Sequence, residues 1–237
     1  MPGLSIVVPV YNERENAPGV VAELLAWGRA TVAQPDAQPD LKIRAFEIIL
    51  VDDGSDDGSA EAVLAATAAP EIRLHRHPRN RGLTAALRTG FSAASLELVT
   101  WLPADGQIAP AAIASLLAAW DGEPMVISTY HHRRDGILRA VLSRGARLLL
   151  RVAIGFGDRL EGIYLFERRL LDEIALVSTR SAGIVAFELA AKVRRRGLPI
   201  ASTTIDCLPR RSGRSKVADA RNVLAFVAEL YRIRASF

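Results

Sequence analysis

The chain has 237 residues, half of them hydrophobic, with one cysteine and a formal net charge of +4. That length suits one large domain with a substantial core. The lone Cys207 rules out an internal disulfide framework and fits a reducing, cytoplasmic compartment, and no uncharged apolar run approaches the roughly 20 residues of a membrane-spanning helix.

Met1-Pro2-Gly3-Leu4 runs directly into an apolar segment, so a chain without a leader peptide is expected. Ser5–Val10 is β-branched and reads as a buried strand. The polar loop Tyr11–Asn16 follows, then a helix over about Ala17–Val32 with Val20, Val21, Leu24, Leu25 and Trp27 on one broad face. Gln34–Asp40, with two prolines, is a surface loop. Phe46–Val51 is the second strand, Ala60–Thr67 a short helix, and Ile72–His75 an alternating strand suited to a sheet edge. Asn80–Thr84 opens a helix that runs to about Ala94. Leu98–Leu102 is the fourth strand, Ala111–Trp120 a helix and Met125–Thr129 the fifth strand. Strands alternating with helices predict a doubly wound α/β domain with a mostly parallel sheet.

The second half has a different pattern. Ile137–Ile154 reads as a long amphipathic helix studded with arginine. Leu160–Phe166 and Ile200–Leu208 read as strands, and Leu170–Leu176 and Val185–Arg196 as helices. Arg210–Lys216 is a basic loop, and Ala218–Arg234 a last amphipathic helix. There is no repeat and no linker, so residues 1–237 form one domain with a first half to about 130 and a specialised half from 131.

The most informative stretch is Ile48–Ser59, where four apolar residues end in Asp52-Asp53-Gly54-Ser55. Ligands bind outside the carboxyl ends of parallel strands. Carboxylates there accept hydrogen bonds from a base or ribose but repel a bare phosphate, and no phosphate-cradling glycine motif is present. The competing reading is an acidic turn in which Ser55 or Asp56 caps the next helix. Two more clusters close successive strands: Tyr11–Glu13 and Asp105–Gln107. The topology brings all three to one crevice.

These stretches, with Arg79-Asn80-Arg81-Gly82, Asp158–Phe166 and Pro209–Lys216, resemble inverting family 2 glycosyltransferases of the GT-A fold. Within that family the chain is most similar to the polyprenyl-phosphate branch typified by dolichol-phosphate mannose synthase. The resemblance covers almost the whole chain. It implies transfer of a sugar from a UDP- or GDP-sugar to a polyprenyl phosphate. Pro9, Tyr11, Glu13, Asp52, Asp53, Ala104 and Asp105 would hold the nucleotide sugar. Tyr11 can stack on a base and the carboxylates can accept from N–H or hydroxyl groups; a half-buried core role for Tyr11 remains open. The family's third loop reads Asp-x-Asp and binds Mg²⁺ or Mn²⁺. Here Pro103 replaces the first aspartate, leaving Asp105 with Gln107 as a neutral ligand, so weaker metal use is expected.

On the acceptor side, the resemblance places Arg139, Ser143, Arg211, Arg214 and Ser215 at the acceptor phosphate. It gives catalytic roles to Asp105, Asp158, Arg210 and Lys216. Guanidinium groups suit bidentate phosphate recognition, although a solvated basic loop would look the same. A phosphate oxyanion needs no general base; a hydroxyl acceptor would need one, with Asp158 or Glu188 as candidates. Glu188 is also spaced to pair with Lys192 at i+4.

The arginines crowding Arg133–Arg234 suit anionic lipid or phosphorylated substrates. Aromatic residues make up only 6% of the chain and are not interleaved with them, so no nucleic-acid partner is expected. Arg139–Ile154 and Val217–Phe237 are candidates for peripheral contact with the inner face of the membrane. The alternative is that both pack on the domain itself or on a second subunit, and a membrane-protein partner is a further way to cover them. A non-catalytic nucleotide-sugar-binding relative is the remaining alternative, motivated by Pro103.

Overall fold

The β-branched run near the amino terminus forms β1 (Gly3–Val10), and the apolar run before Asp52 forms β2 (Ala45–Asp52). The computed structural model describes residues 1–34, 41, 43–131, 145, 148–179, 183–208 and 220–237. Its other elements are α1 (Ala17–Ala33), α2 (Ser59–Ala66), β3 (Ile72–Arg76), α3 (Leu83–Ala93), β4 (Leu98–Trp101), α4 (Ala111–Ala118), β5 (Met125–Tyr130), β6 (Tyr164–Glu167), α5 (Leu170–Glu173), α6 (Ile184–Arg195), β7 (Ile200–Ile205) and α7 (Ala220–Ala235). Residues 148–154 are also helical. The elements expected up to β5 all form, with shifts at their ends only.

One seven-stranded sheet has the order β3-β2-β1-β4-β6-β5-β7. Its pairings are parallel except those of β6, which is antiparallel to both β4 and β5. The alternating strand takes the edge beside β2, as expected of β3.

Alternation along the strands feeds two cores. Leu4, Ile6, Val8 and Val10 of β1 pack with Val20 and Leu24 of α1, Val63 of α2, and Ile113 and Leu116 of α4. Val7 faces the other side, with Leu87 and Phe91 of α3, Leu189 of α6, and Leu230 and Ile233 of α7. Helices therefore cover both faces. Gly90 lets α3 lie close to the sheet: a Cβ there would sit 2.2 Å from Val7 Cγ1.

The second half departs from expectation in its boundaries. The strand expected over Leu160–Phe166 is confined to Tyr164–Glu167. The residues before it turn under side-chain control: Ser128 Oγ donates to Glu161 O (2.7 Å) and Ile163 O (2.6 Å). The helix expected over Leu170–Leu176 stops at Glu173. Carboxylates capture the next amides, with Val177 N–H and Ser178 N–H donating to Glu188 and Thr179 N–H to Glu229. β7 ends at Ile205 rather than Leu208. Of the long helix expected over Ile137–Ile154, residues 132–144 and 146–147 lie outside the described residues.

Candidate active site

β2 lies on one side of β1 and β4 on the other, and the helices α1 and α3 that lead into β2 and β4 cover opposite faces of the sheet. A crevice opens outside the carboxyl ends of strands at such a switch point. Register brings Val10 beside Asp52 and Val7 beside Trp101. The loops after β1, β2 and β4 therefore emerge together, as expected of Tyr11–Glu13, Asp52–Ser55 and Asp105–Gln107.

The first two loops are tied together by hydrogen bonds. Asn12 takes a left-handed backbone (φ 52°), which asparagine tolerates better than most residues. Its N–H donates to Ser55 Oγ (3.1 Å), and its Oδ1 accepts Asp56 N–H (3.1 Å). Glu13 N–H donates to Ser59 Oγ (2.9 Å) and Arg14 N–H to Asp57 Oδ2 (3.1 Å). Burial pushes the Asp57 carboxyl up, but the Ser59 hydroxyl and the N–H groups of Arg14 and Ser59 outweigh it and hold its pKa below the ordinary value. The helix-cap reading of the acidic turn is thereby corrected. Gly58 is the residue at the N-cap of α2, while Ser55 and Asp56 bond back to Asn12. Pro9 and Tyr11 are half-buried at the end of β1. Glu13 is half-buried too, and its Oε2 accepts Asn16 Nδ2–H (2.8 Å).

The two aspartates have different surroundings. Asp52 Oδ1 accepts Ser55 N–H (2.9 Å), and its Oδ2 is 3.1 Å from Arg76 Nε. Asp53, 3% exposed, faces the loop before α3. Its Oδ1 accepts Arg81 N–H (2.9 Å) and lies 2.6 Å from His77 Nδ1, and its Oδ2 accepts Gly82 N–H (2.7 Å). His77 Nε2 continues to Thr89 Oγ1 (2.9 Å). Asp53 thus anchors the Arg79–Gly82 loop against the turn after β2. Gly54 (φ 74°) makes room for this contact, since a Cβ there would sit 2.4 Å from the Arg79 carbonyl carbon. Gly54→Ala combines that clash with about 1–2 kcal/mol of left-handed strain. A drop in thermal unfolding midpoint and weaker nucleotide binding are the expected results, measured by calorimetry.

On the opposite wall, Leu102 N–H donates to Val7 O (2.9 Å) and sets the direction of the Pro103–Gln107 turn. Ala104 is buried and Asp105 and Gln107 half-buried. Gln107 N–H donates to Asp105 Oδ1 (3.1 Å). Pro103 offers no side-chain donor atom for a cation, and among the described residues no three His, Cys, Asp or Glu side chains come together to hold an ion. Asp105 and Gln107 offer one carboxylate and one neutral oxygen, a set that suits Mg²⁺ or Mn²⁺ shared with substrate phosphate and water. Leu208 N–H donates to Gln107 O (2.8 Å), so the chain leaving β7 reaches this loop. Arg210, Arg211, Arg214, Ser215 and Lys216 follow it in sequence but lie outside the described residues, as do Arg139 and Ser143.

Neither candidate base joins this hydrogen-bonded group. Asp158, half-exposed, pairs with Arg194 in the last turn of α6. Glu188 is fully buried and pairs with Lys192 Nζ at 2.7 Å, as its i+4 spacing suggests. Sequence reasoning missed His77, Arg76, Ser59 and the backbone role of Asn12. Only Asn12 carried a signal, as a left-handed-tolerant residue at a strand end.

The sequence model of Glycosyl transferase family 2 matches residues 5–185. The chain belongs to this family. It is 33% identical over 218 residues to the undecaprenyl-phosphate 4-deoxy-4-formamido-L-arabinose transferase of Yersinia pestis (strain Pestoides F), covering 90% of this chain and 62% of that protein. The Yersinia enterocolitica protein of the same name is also 33% identical, over 186 residues, covering 76% of this chain and 54% of its own length. The chain thus spans between half and two thirds of these relatives, which are polyprenyl-phosphate transferases by name. Among solved structures, it is similar to glucosyl-3-phosphoglycerate synthase from Mycobacterium tuberculosis in complex with Mn²⁺, UDP and phosphoglyceric acid. That match has a TM-score of 0.68 at 21% identity and covers 97% of this chain and 78% of the other. The same enzyme has been crystallised with Mg²⁺ and UDP (TM-score 0.65, 20% identity, 97% and 79% covered). The likeness shows the GT-A fold.

Proposed function

We propose that this chain moves a sugar from a nucleoside diphosphate sugar to a polyprenyl phosphate, inverting the anomeric configuration. The observation that carries it is the convergence of the three polar loops at the β1–β4 switch point, in a chain whose relatives are named for polyprenyl-phosphate transfer. In this reading the first half holds the donor. Pro9 and Tyr11 flank the base, while Glu13 and Asp52 accept from base N–H or ribose hydroxyls. Asp53 acts through the loop it anchors, and Ala104 and Asp105 lie along the diphosphate and sugar. The second half holds the acceptor phosphate with Arg139, Ser143, Arg211, Arg214 and Ser215. Arg210 and Lys216 meet the negative charge that grows on the departing diphosphate.

The reaction is an in-line displacement. An acceptor phosphate oxygen forms the new bond to the anomeric carbon as the bond to the diphosphate oxygen breaks, and the electron pair leaves with the nucleoside diphosphate. Catalysis then rests on positioning and charge neutralisation. The phosphate is already an oxyanion, so no base is needed. This agrees with Asp158 and Glu188 both being ion-paired, an arrangement that disfavours a hydroxyl acceptor. Asp105, with Gln107 as a neutral ligand, would hold Mg²⁺ or Mn²⁺ together with the donor diphosphate and water, and the ion would supply neutralisation of the departing diphosphate's charge. The lipid acceptor places the work at a membrane surface, on the cytoplasmic face where nucleotide sugars are found. No helix among the described residues is long and apolar enough to cross a membrane.

The test is a nucleotide-release screen of UDP- and GDP-sugars against short-chain polyprenyl phosphates, with and without chelator. The expected result is release with one donor and a lipid phosphate, reduced only modestly by chelator. Absence of product with every lipid phosphate removes this acceptor. Binding of a nucleotide sugar without turnover on any acceptor supports the non-catalytic alternative.

A further inference from the structure

Two neighbouring aromatic rings carry polar atoms that the protein leaves unbonded. Trp101 is the last residue of β4 and Tyr164 the first of β6. The strands are antiparallel, and the pairing of Thr100 with Leu165 sets Trp101 beside Tyr164. Their ring centroids are 6.3 Å apart. Among the described residues, neither Trp101 Nε1 nor the Tyr164 hydroxyl has a hydrogen-bond partner, although both atoms are buried. Tyr164 as a whole is 1% exposed. A buried donor left unbonded costs free energy, and nearly all such groups in folded proteins are satisfied. Two on adjacent rings need a reason.

An internal water does not supply one. A buried water is held by about three polar groups. The ring neighbours of Tyr164 are Phe91 and Phe166, and its own carbonyl already accepts Thr100 Oγ1–H (2.7 Å). The position in the fold points to substrate instead. Trp101, half-buried, leads directly into the Pro103–Gln107 turn. Both rings share the face of the sheet that α3 covers, at the edge where the loops of the candidate site emerge. In the proposed function the nucleoside occupies the β1–β2 side and the diphosphate the loop after β4. The sugar then extends past β4 toward β6, where these two rings lie. An indole N–H is a donor only. Burial pushes the Tyr164 hydroxyl up, away from ionisation near neutrality, so both groups are neutral. Neutral donors suit a sugar hydroxyl, whereas a phosphate is met better by guanidinium.

We propose that Trp101 Nε1 and the Tyr164 hydroxyl form a sugar-recognising pair, donating to a hydroxyl oxygen of the transferred sugar. The inference rests on the nucleotide-sugar donor proposed above and deepens it by naming residues that tell one sugar from another. Both atoms are shielded from water in the free protein, so the sugar reaches them by displacing the half-buried Trp101 ring. A sugar with an oxygen in the right place satisfies both donors and offsets that displacement. A sugar without one leaves them unbonded, which is how a site built for a hydroxyl rejects its analogues.

Calorimetric titration with UDP-glucose, UDP-galactose, UDP-xylose, GDP-glucose and GDP-mannose tests it, with UDP and GDP as the arms that lack a sugar. Wild-type protein is expected to bind the sugars of its preferred nucleotide with unequal affinity. Tyr164→Phe should narrow the ratio between the most tightly and most weakly bound sugar about tenfold and leave the affinity for the nucleoside diphosphate unchanged. Trp101→Phe should act in the same direction. The hydroxyl is unbonded in the free protein, so Tyr164→Phe should not lower the thermal unfolding midpoint and is expected to raise it by about 2–4 °C. A lowered midpoint overturns the proposal, since the hydroxyl then has a partner inside the protein. An unchanged ratio in Tyr164→Phe overturns it as well, as does a wild type that binds every sugar of its nucleotide equally. The proposed function fails separately: a narrowed ratio without transfer to any acceptor removes lipid-phosphate transfer and leaves the recognition pair in place.

Discussion

Asp53→Ala is expected to lower stability by on the order of 3 kcal/mol and transfer activity by about 100-fold. The carboxylate is almost wholly buried and gathers Arg81 N–H, Gly82 N–H and the His77 ring. Alanine leaves two backbone donors at the start of α3 and an imidazole without their acceptor, in a place water barely reaches. Each buried unsatisfied group costs about 1–3 kcal/mol. The loop they belong to rests on Gly54, so its release also loosens the Asp52–Ser55 turn that borders the proposed nucleotide site. A displacement of an ångström at a reacting centre is enough for the predicted loss of rate. Asp53→Asn should fall between, because its Oδ1 can still accept one N–H while its amide group faces the other donor. Urea unfolding and steady-state transfer separate the effects. A variant with an unchanged urea midpoint and lost nucleotide binding would show that Asp53 contacts the nucleotide itself and does not anchor the loop.

That division of labour is the part of the site the sequence conceals. The acids at strand ends are legible because apolar β-branched runs stop abruptly at Val10, Val51 and Leu102, and a parallel sheet sends those ends to one side. The departure at Pro103 is legible from a single residue, since proline has no oxygen to offer a cation. The difference between Asp52 and Asp53 is not. The partners of Asp53 lie 24 to 29 residues further along the chain, and neither a histidine nor a backbone amide announces its contacts in a sequence. The same reason hides the direction of β6. A strand is legible there, but its antiparallel direction is not, and the turn before it is held from a distance by Ser128, which bonds Glu161 and Ile163. The early stop of α5 depends likewise on carboxylates from α6 and α7. Local patterns specified the elements, and long-range polar contacts set where several of them begin and end.

Glu188→Ala is expected to destabilise the fold by about 3–5 kcal/mol, the cost of leaving one member of a buried ion pair behind. Glu188 is 0% exposed and Lys192 6%. One Glu188 oxygen takes Lys192 Nζ (2.7 Å) and Val177 N–H (2.7 Å), and the other takes Ser178 N–H (2.9 Å). Lys192 also donates to Ala175 O (2.6 Å), so the pair clamps the 175–178 segment onto α6. Replacing both residues, as in Glu188→Leu/Lys192→Met, removes the charges together and should recover part of the loss. Burial pushes the Glu188 carboxyl up, but Lys192, Ser178 and the N–H of Val177 outweigh it and hold its pKa below the ordinary 4.5. A carboxyl with a depressed folded-state pKa contributes its full stabilisation above the unfolded value and loses it as pH falls through the folded value. The stability gap between wild type and Glu188→Gln should therefore be flat near neutrality and narrow in acid, as followed by urea unfolding across pH. Transfer per folded molecule should survive Glu188→Gln, because a clamp remote from the reacting atoms changes how much protein is folded. A general base would lose about 100- to 10,000-fold. A loss of that size in fully folded variant protein would restore Glu188 as a base and reopen the hydroxyl acceptor.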